Sequence, residues 1–178
     1  MKKFDINFLK PSQEQLNSLL KYYQTGRYVD AEKLSLSITQ EFPEHPIAWK
    51  VLGATLKQTG KISESLAASQ KSVQLEPKDT EALYNLGNTL KVLGRLNEAE
   101  VSYRQAIVLK PDYAAAHNNL GVLHHELGRL EEAMSNYTKA IVLKPDYAGA
   151  HNNLGVLLQE LGRLEEAMSN YTKAIVLK

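Results

Sequence analysis

Three series of residues in this chain recur at one interval. Gly53, Gly87, Gly121 and Gly155 form the first, and Gly26, Gly60, Gly94, Gly128 and Gly162 the second. Pro43, Pro77, Pro111 and Pro145 form the third, and every series steps by 34 residues. A fixed period of this size marks a stack of similar units, none of which can bury its apolar face alone. The copies are closest toward the end of the chain. HNNLGVLHHELGRLEEAMSNYTKAIVLK, from His117, and HNNLGVLLQELGRLEEAMSNYTKAIVLK, from His151, differ only at His124/Leu158 and His125/Gln159. One packing solution is used repeatedly, so the chain is expected to be an all-α solenoid.

Each period reads as two helices. From Thr80, taken as position 1, Leu83, Leu86, Gly87 and Leu90 fall at i, i+3, i+4 and i+7, one helical face. Gly94 then interrupts the pattern, as a residue able to adopt the left-handed conformation that closes a helix. A second helix follows, with Leu96, Ala99, Tyr103, Ala106 and Ile107 on one side. Pro111 ends it by forcing the preceding residue out of helical space. Asp112 is expected to cap the next helix through its side chain. Gly87 and Ala99 are small where the two helices face each other, so bulk there overpacks the contact.

The chain divides into an N-terminal tail, residues 1–11, and repeats at 12–45, 46–79, 80–113, 114–147 and 148–178. The first repeat diverges, with Ser18 and Leu19 where Leu and Gly recur later. The second places Ser65, Ser69 and Ser72 where later repeats carry Ala, Tyr and Ala. Looser packing is expected there, with the hydroxyls bonding back to helix carbonyls. The last helix is expected to leave Ala174, Ile175 and Leu177 partly bare.

The recurring marks are Leu83 at position 4, Leu86 at 7, Gly87 at 8, Ala99 at 20, Tyr103 at 24, Ala106 at 27 and Pro111 at 32, with Trp49, Leu52, Gly53 and Pro77 in the repeat before. This pattern resembles the tetratricopeptide repeat. The resemblance implies a right-handed superhelix whose first helices line a concave groove holding an extended protein or peptide segment. Positions 2, 5, 9, 12 and 13 lie opposite the packed face and are expected to line that groove.

Amides dominate this surface. Position 5 is Tyr84, Asn118 and Asn152, position 6 is Asn85, Asn119 and Asn153, and position 9 adds Asn88. A carboxamide donates and accepts, as a peptide unit does. The position-6 series is similar to the asparagine ladder in the repeat region of O-linked N-acetylglucosamine transferase, which implies a backbone-binding role for Asn85, Asn119 and Asn153. The alternative is a structural bond to a neighbouring helix. Asn118 and Asn152 are expected to face the open groove. Lys50, Lys57 and Lys91 add positive charge toward the N-terminal half. His125 stands at position 12, and Glu126 and Glu160 make the later half acidic. The carboxylate clamp of some family members needs Lys at 5 and Asn at 9 together, and Lys50 is followed by Ala54.

Catalysis is not expected, and no cofactor is implied. The glycines are single and periodic, unlike a phosphate loop. His117 and His124 lie two turns, about 10 Å, apart on one helix, too far to share a metal. His117 and His151 read as partly buried filler, Glu131-Glu132 and Glu165-Glu166 as solvated faces, and Tyr103, Tyr137 and Tyr171 as core. A formal net charge of +1 gives no reason to expect a nucleic-acid or membrane partner. Cysteine is absent, which excludes disulfides and thiolate metal sites and fits a cytoplasmic location. Two further expectations concern context: the array could be the substrate-selecting arm of a larger transferase, or it could self-associate through its uncapped last helix.

Overall fold

The computed structural model describes residues 10–177. Most of the expected tail, residues 1–9, and Lys178 lie outside the described residues. Ten helices are described: α1 (Gln13–Gln24), α2 (Tyr28–Glu41), α3 (Pro46–Gln58), α4 (Ile62–Leu75), α5 (Thr80–Val92), α6 (Leu96–Leu109), α7 (Ala114–Glu126), α8 (Leu130–Leu143), α9 (Ala148–Glu160) and α10 (Leu164–Val176). They form an N-terminal unit through Leu93 and a C-terminal unit from Gly94.

Helix ends follow the period. Gly26, Gly60, Gly94, Gly128 and Gly162 take φ of +71 to +78°, a conformation that costs L side chains with a Cβ about 1–2 kcal/mol. Ser12 opens α1 with a capping box completed by Gln15. Asp79 opens α5 by accepting from the backbone N–H groups of Glu81 and Ala82. Asp112 does not repeat this role. The residue at the cap of α7 is Tyr113, with no side-chain cap bond, because the aspartate stands one residue too early in the KPDYA sequence.

Within each unit, the backbones of the first helices of neighbouring repeats come together: α1 with α3, α3 with α5, and α7 with α9. Among the described residues the second helices make no such approach. The first-helix side is therefore the tighter, inner side of each unit.

In the N-terminal unit, Leu19, Ala31, Ile38, Ala48 and Val51 form one core cluster. Leu52, Leu56 and Ala68 form another, with Trp49 packed against it. The serines of α4 do not bond back to their own helix. Ser65 Oγ donates across to the Gly53 carbonyl at 2.8 Å and lies 3.1 Å from Thr89 Oγ1, and Ser72 Oγ reaches toward the Pro46 carbonyl at 3.5 Å. The facing helix is near enough to supply acceptors because Gly53 lacks a side chain: a Cβ there would meet Ser69 Oγ at 2.6 Å.

In the C-terminal unit, Leu154, Leu157 and Leu158 of α9 join Ala133, Tyr137 and Ala167, with Leu130, Met134 and Ile141 of α8 packed against them. Tyr103 and Tyr137 are buried. Burial pushes the Tyr137 phenol well above its ordinary pKa, with Glu126 and Glu160 adding to the effect. Gly121 lies under the Tyr137 ring, where a Cβ would sit 2.7 Å from Cδ1. At the end of α10, Ile175 and the capping residue Leu177 are exposed as expected, whereas Ala174 is buried.

Candidate interaction surface

The inner face of the C-terminal unit is built around a chain of carboxamides. Asn153 Nδ2 donates to Asn118 Oδ1 at 3.0 Å, and Asn118 Nδ2 donates to Asn119 Oδ1 at 3.1 Å. Asn118 is only 6 % exposed. Its expected place in the open groove is thus replaced by a link between α7 and α9, because the position-6 amide of the later repeat reaches back to it. Asn119 and Asn153 are half-buried, and Asn152 alone of the four stands exposed. Two helical turns further on, His125 Nε2 lies 2.7 Å from Glu160 Oε2, while Gln159 accepts a hydrogen bond from the Tyr171 hydroxyl at 2.8 Å. Both residues at position 12 therefore have intramolecular partners, and they differ because their neighbours differ.

In the N-terminal unit, Tyr84, Asn85, Asn88 and Lys91 are half-buried on α5. Lys50 is not a free cation. Its Nζ lies 2.9 Å from Asp79 Oδ2 and 2.9 Å from Glu81 Oε2, with only 18 % of its side chain exposed. Partial burial alone would lower the Lys50 pKa, but hydrogen bonds to Glu81 and Asp79 raise it above the ordinary value. Asp79 responds in the opposite sense: burial alone would raise its pKa, yet Lys50 and the N–H groups of α5 hold it below the usual carboxylate range. Lys57 has no such compensation, and burial pulls its pKa down. The positive charge expected along this face is thus partly consumed inside the fold.

Several histidines prove structural. Trp49, His117 and His151, all at position 4, point a ring nitrogen at the carbonyl of the preceding turn's proline, Pro43, Pro111 and Pro145, at 2.7, 3.1 and 3.1 Å. This shared bond satisfies a carbonyl of the turn just beyond the helix cap. His124, at position 11, is almost fully buried, with Nε2 3.3 Å from Glu100 Oε1 and Nδ1 3.3 Å from Asn136 Nδ2. Sequence reasoning missed this pair, although one signal was available: position 21 is apolar in three repeats, at Leu66, Met134 and Met168, but Glu100 here, as it is Glu32 in the first repeat. Among the described residues, no group of three or more His, Asp or Glu is placed to hold a metal ion. No described helix is long and apolar enough to cross a membrane.

Profiles of the tetratricopeptide repeat match residues 68–101, 87–128, 123–162 and 148–178. The chain belongs to the tetratricopeptide-repeat family. Several solved structures superpose on it over nearly their whole length. A thermophilic TPR protein of Thermus thermophilus gives a TM-score of 0.80 at 26 % identity, covering 93 % of this chain and 90 % of that one. A MamA structure gives 0.76 at 25 % identity, covering 88 % and 92 %. MamA from Desulfovibrio magneticus RS-1, residue 41 to its end, gives 0.79 at 20 % identity, covering 93 % of each. No curated protein matches the sequence at a level that carries an argument.

Proposed function

We propose that the chain is a protein-interaction scaffold that holds an extended peptide or partner segment on the inner, first-helix face of its repeats, with the asparagine-rich surface of α7 and α9 as the principal contact. The observation that carries this reading is the carboxamide chain Asn153–Asn118–Asn119. These side chains are already ordered in the protein, so little entropy is lost when a guest backbone meets their remaining donors and acceptors. Asn152 stands beside them with an exposed amide. The likeness of the position-6 series to a known asparagine ladder supports the same role. In the N-terminal unit, Lys57 is the groove lysine whose charge no ion pair offsets, which favours an acidic segment there, and Tyr84, Asn85, Asn88 and Lys91 flank it along the same side.

Capture of extended peptides from a displayed library, with the full chain as bait, tests the reading. Asn152→Ala lowers recovery while leaving the unfolding midpoint unchanged. Undiminished recovery from that variant removes the inner amides from the binding surface.

A further inference from the structure

The fourth and fifth repeats are nearly one sequence, yet their outer sides are wired differently. At the seam between α6 and α7, Glu100 at position 21 and His124 at position 11 lie 3.3 Å apart. At the seam between α8 and α9 the same positions are Met134 and Leu158, packed in one apolar cluster. The arginine at position 16 registers the difference. Arg163 grips Glu166 of its own repeat through Nε and Nη2, at 2.7 Å each, and Arg27 and Arg95 pair with Asp30 and Glu98 at the same spacing. Arg129 instead reaches back to both oxygens of Glu100, at 3.1 Å. Glu132, the equivalent of Glu166, thereby loses its arginine and keeps only looser contacts, with His124 Nε2 at 3.6 Å and Arg104 Nη2 at 3.7 Å.

The asparagine at position 23 shifts in the same way. Asn170 Oδ1 lies 3.1 Å from His151 Nδ1, while Nε2 of that ring bonds the Pro145 carbonyl. Asn136 turns instead to His124 Nδ1, at 3.3 Å. His117 keeps its bond to the Pro111 carbonyl through Nε2, but its Nδ1 has no partner among the described residues. His151 is 4 % exposed, whereas His117 is half-buried.

Both released groups line one groove. It lies between α6 and α8 on the second-helix side, with α7 as its floor. Ile107, Val108 and Leu120 give it an apolar surface, and Glu131, Glu132 and the His117 ring give it acceptors. Glu131 is exposed and makes no ion pair or hydrogen bond among the described residues. With histidine neutral, the carboxylates of Glu100, Glu131 and Glu132 face the guanidiniums of Arg104 and Arg129, which leaves one negative charge uncompensated.

We propose that this outer groove binds an arginine side chain presented by a partner protein. Charge complementarity argues the occupant, and so does the acceptor set. The methylene stem lies over Ile107, Val108 and Leu120 while its charged head stays at the wall. There the guanidinium meets Glu131, Glu132 and His117 Nδ1, which accepts because Nε2 of the neutral ring donates to a carbonyl. Arginine spreads five N–H donors over a fixed fork, whereas lysine is a point charge, so separated acceptors select arginine. The groove between α8 and α10 offers less, since Arg163 holds Glu166 and Asn170 holds His151. The proposal is independent of the inner-face reading.

Titration of the isotope-labelled full chain with N-acetyl-arginine amide, followed by nuclear magnetic resonance, tests it. Saturable shifts are expected for the amides from Glu131 to Ser135 and for the His117 ring, and the lysine analogue binds more weakly. Glu131→Gln, at an exposed site, weakens arginine binding about fivefold. Glu100→Met combined with His124→Leu returns Arg129 to Glu132 and Asn136 to His117, and removes the shifts while helix content by circular dichroism is retained. Asn152→Ala leaves arginine binding unchanged. Absence of saturable shifts, equal binding of the lysine analogue, or binding that survives both Glu131→Gln and the double variant overturns the proposal. A mass that rises with chain concentration and falls back on Glu131→Gln also overturns it, by assigning the groove to a second copy.

Discussion

Asn153 donates to Asn118 across the gap between two neighbouring helices, at 3.0 Å, so an amide of the inner surface also ties α7 to α9. The two asparagines at position 5 therefore have separate consequences. Asn118→Ala removes a buried group and the acceptor of Asn153, and is expected to cost about 1–2 kcal/mol. Asn152→Ala, at an exposed site, should stay within about 0.5 kcal/mol of the parent. Urea unfolding of the two single variants checks this; equal losses would mean that the link contributes nothing.

Gly121 and Gly155 occupy equivalent places under Tyr137 and Tyr171. A Cβ on either glycine meets a ring carbon at 2.7 Å. Alanine gains about 1 kcal/mol of helix propensity over glycine, and overpacking costs about 1–3 kcal/mol. The outcome depends on whether the ring can move. Tyr137 is 1 % exposed and held on all sides, so Gly121→Ala is expected to be net destabilising. Tyr171 is half-buried on the outermost helix, so Gly155→Ala should be close to neutral. Thermal midpoints for the pair settle the contrast.

The paired helices and their closing glycines were legible in the sequence because a fixed period imposes one backbone solution on every copy. The surface was less legible. Periodicity assigns a side to each residue but not its partner, and partners came from the adjoining repeat. Lys50 is drawn to Asp79 and Glu81, 29 and 31 residues away, and Asn118 to Asn153, 35 away. The Asp112 cap failed for a different reason, since capping depends on a single residue of register that the hydrophobic pattern does not fix.

The Lys50–Asp79 pair gives stability a defined pH window. Asp79's pKa is lower folded than its ordinary value of 3.8. Its contribution is complete above that value and is lost as pH falls through the folded pKa. Lys50's pKa is raised above 10.5, so its contribution is complete below that value and is lost as pH rises through the folded pKa. Lys50→Met should lower the plateau between about pH 5 and 9 and flatten both shoulders. Denaturant midpoints measured across the range check this, and an unchanged acid shoulder would detach Asp79 from Lys50.

His124 and Glu100 provide the sharpest energetic test of the seams. Leucine is the residue at position 11 in three other repeats, at Leu56, Leu90 and Leu158, so His124→Leu follows the pattern of the chain. It is nevertheless expected to destabilise, by about 1–3 kcal/mol, because it takes a hydrogen-bond partner from Glu100, whose side chain is only 13 % exposed. Glu100→Met alone leaves buried His124 with only the more distant Glu132 carboxylate, 3.6 Å away, and should cost a similar amount. Together the two changes reproduce the Met134–Leu158 seam. Replacing a buried polar pair by packed apolar groups is often neutral or stabilising, so the double variant should return to within about 1 kcal/mol of the parent. A double-mutant cycle measures the coupling directly. If the two losses simply add, His124 and Glu100 act independently.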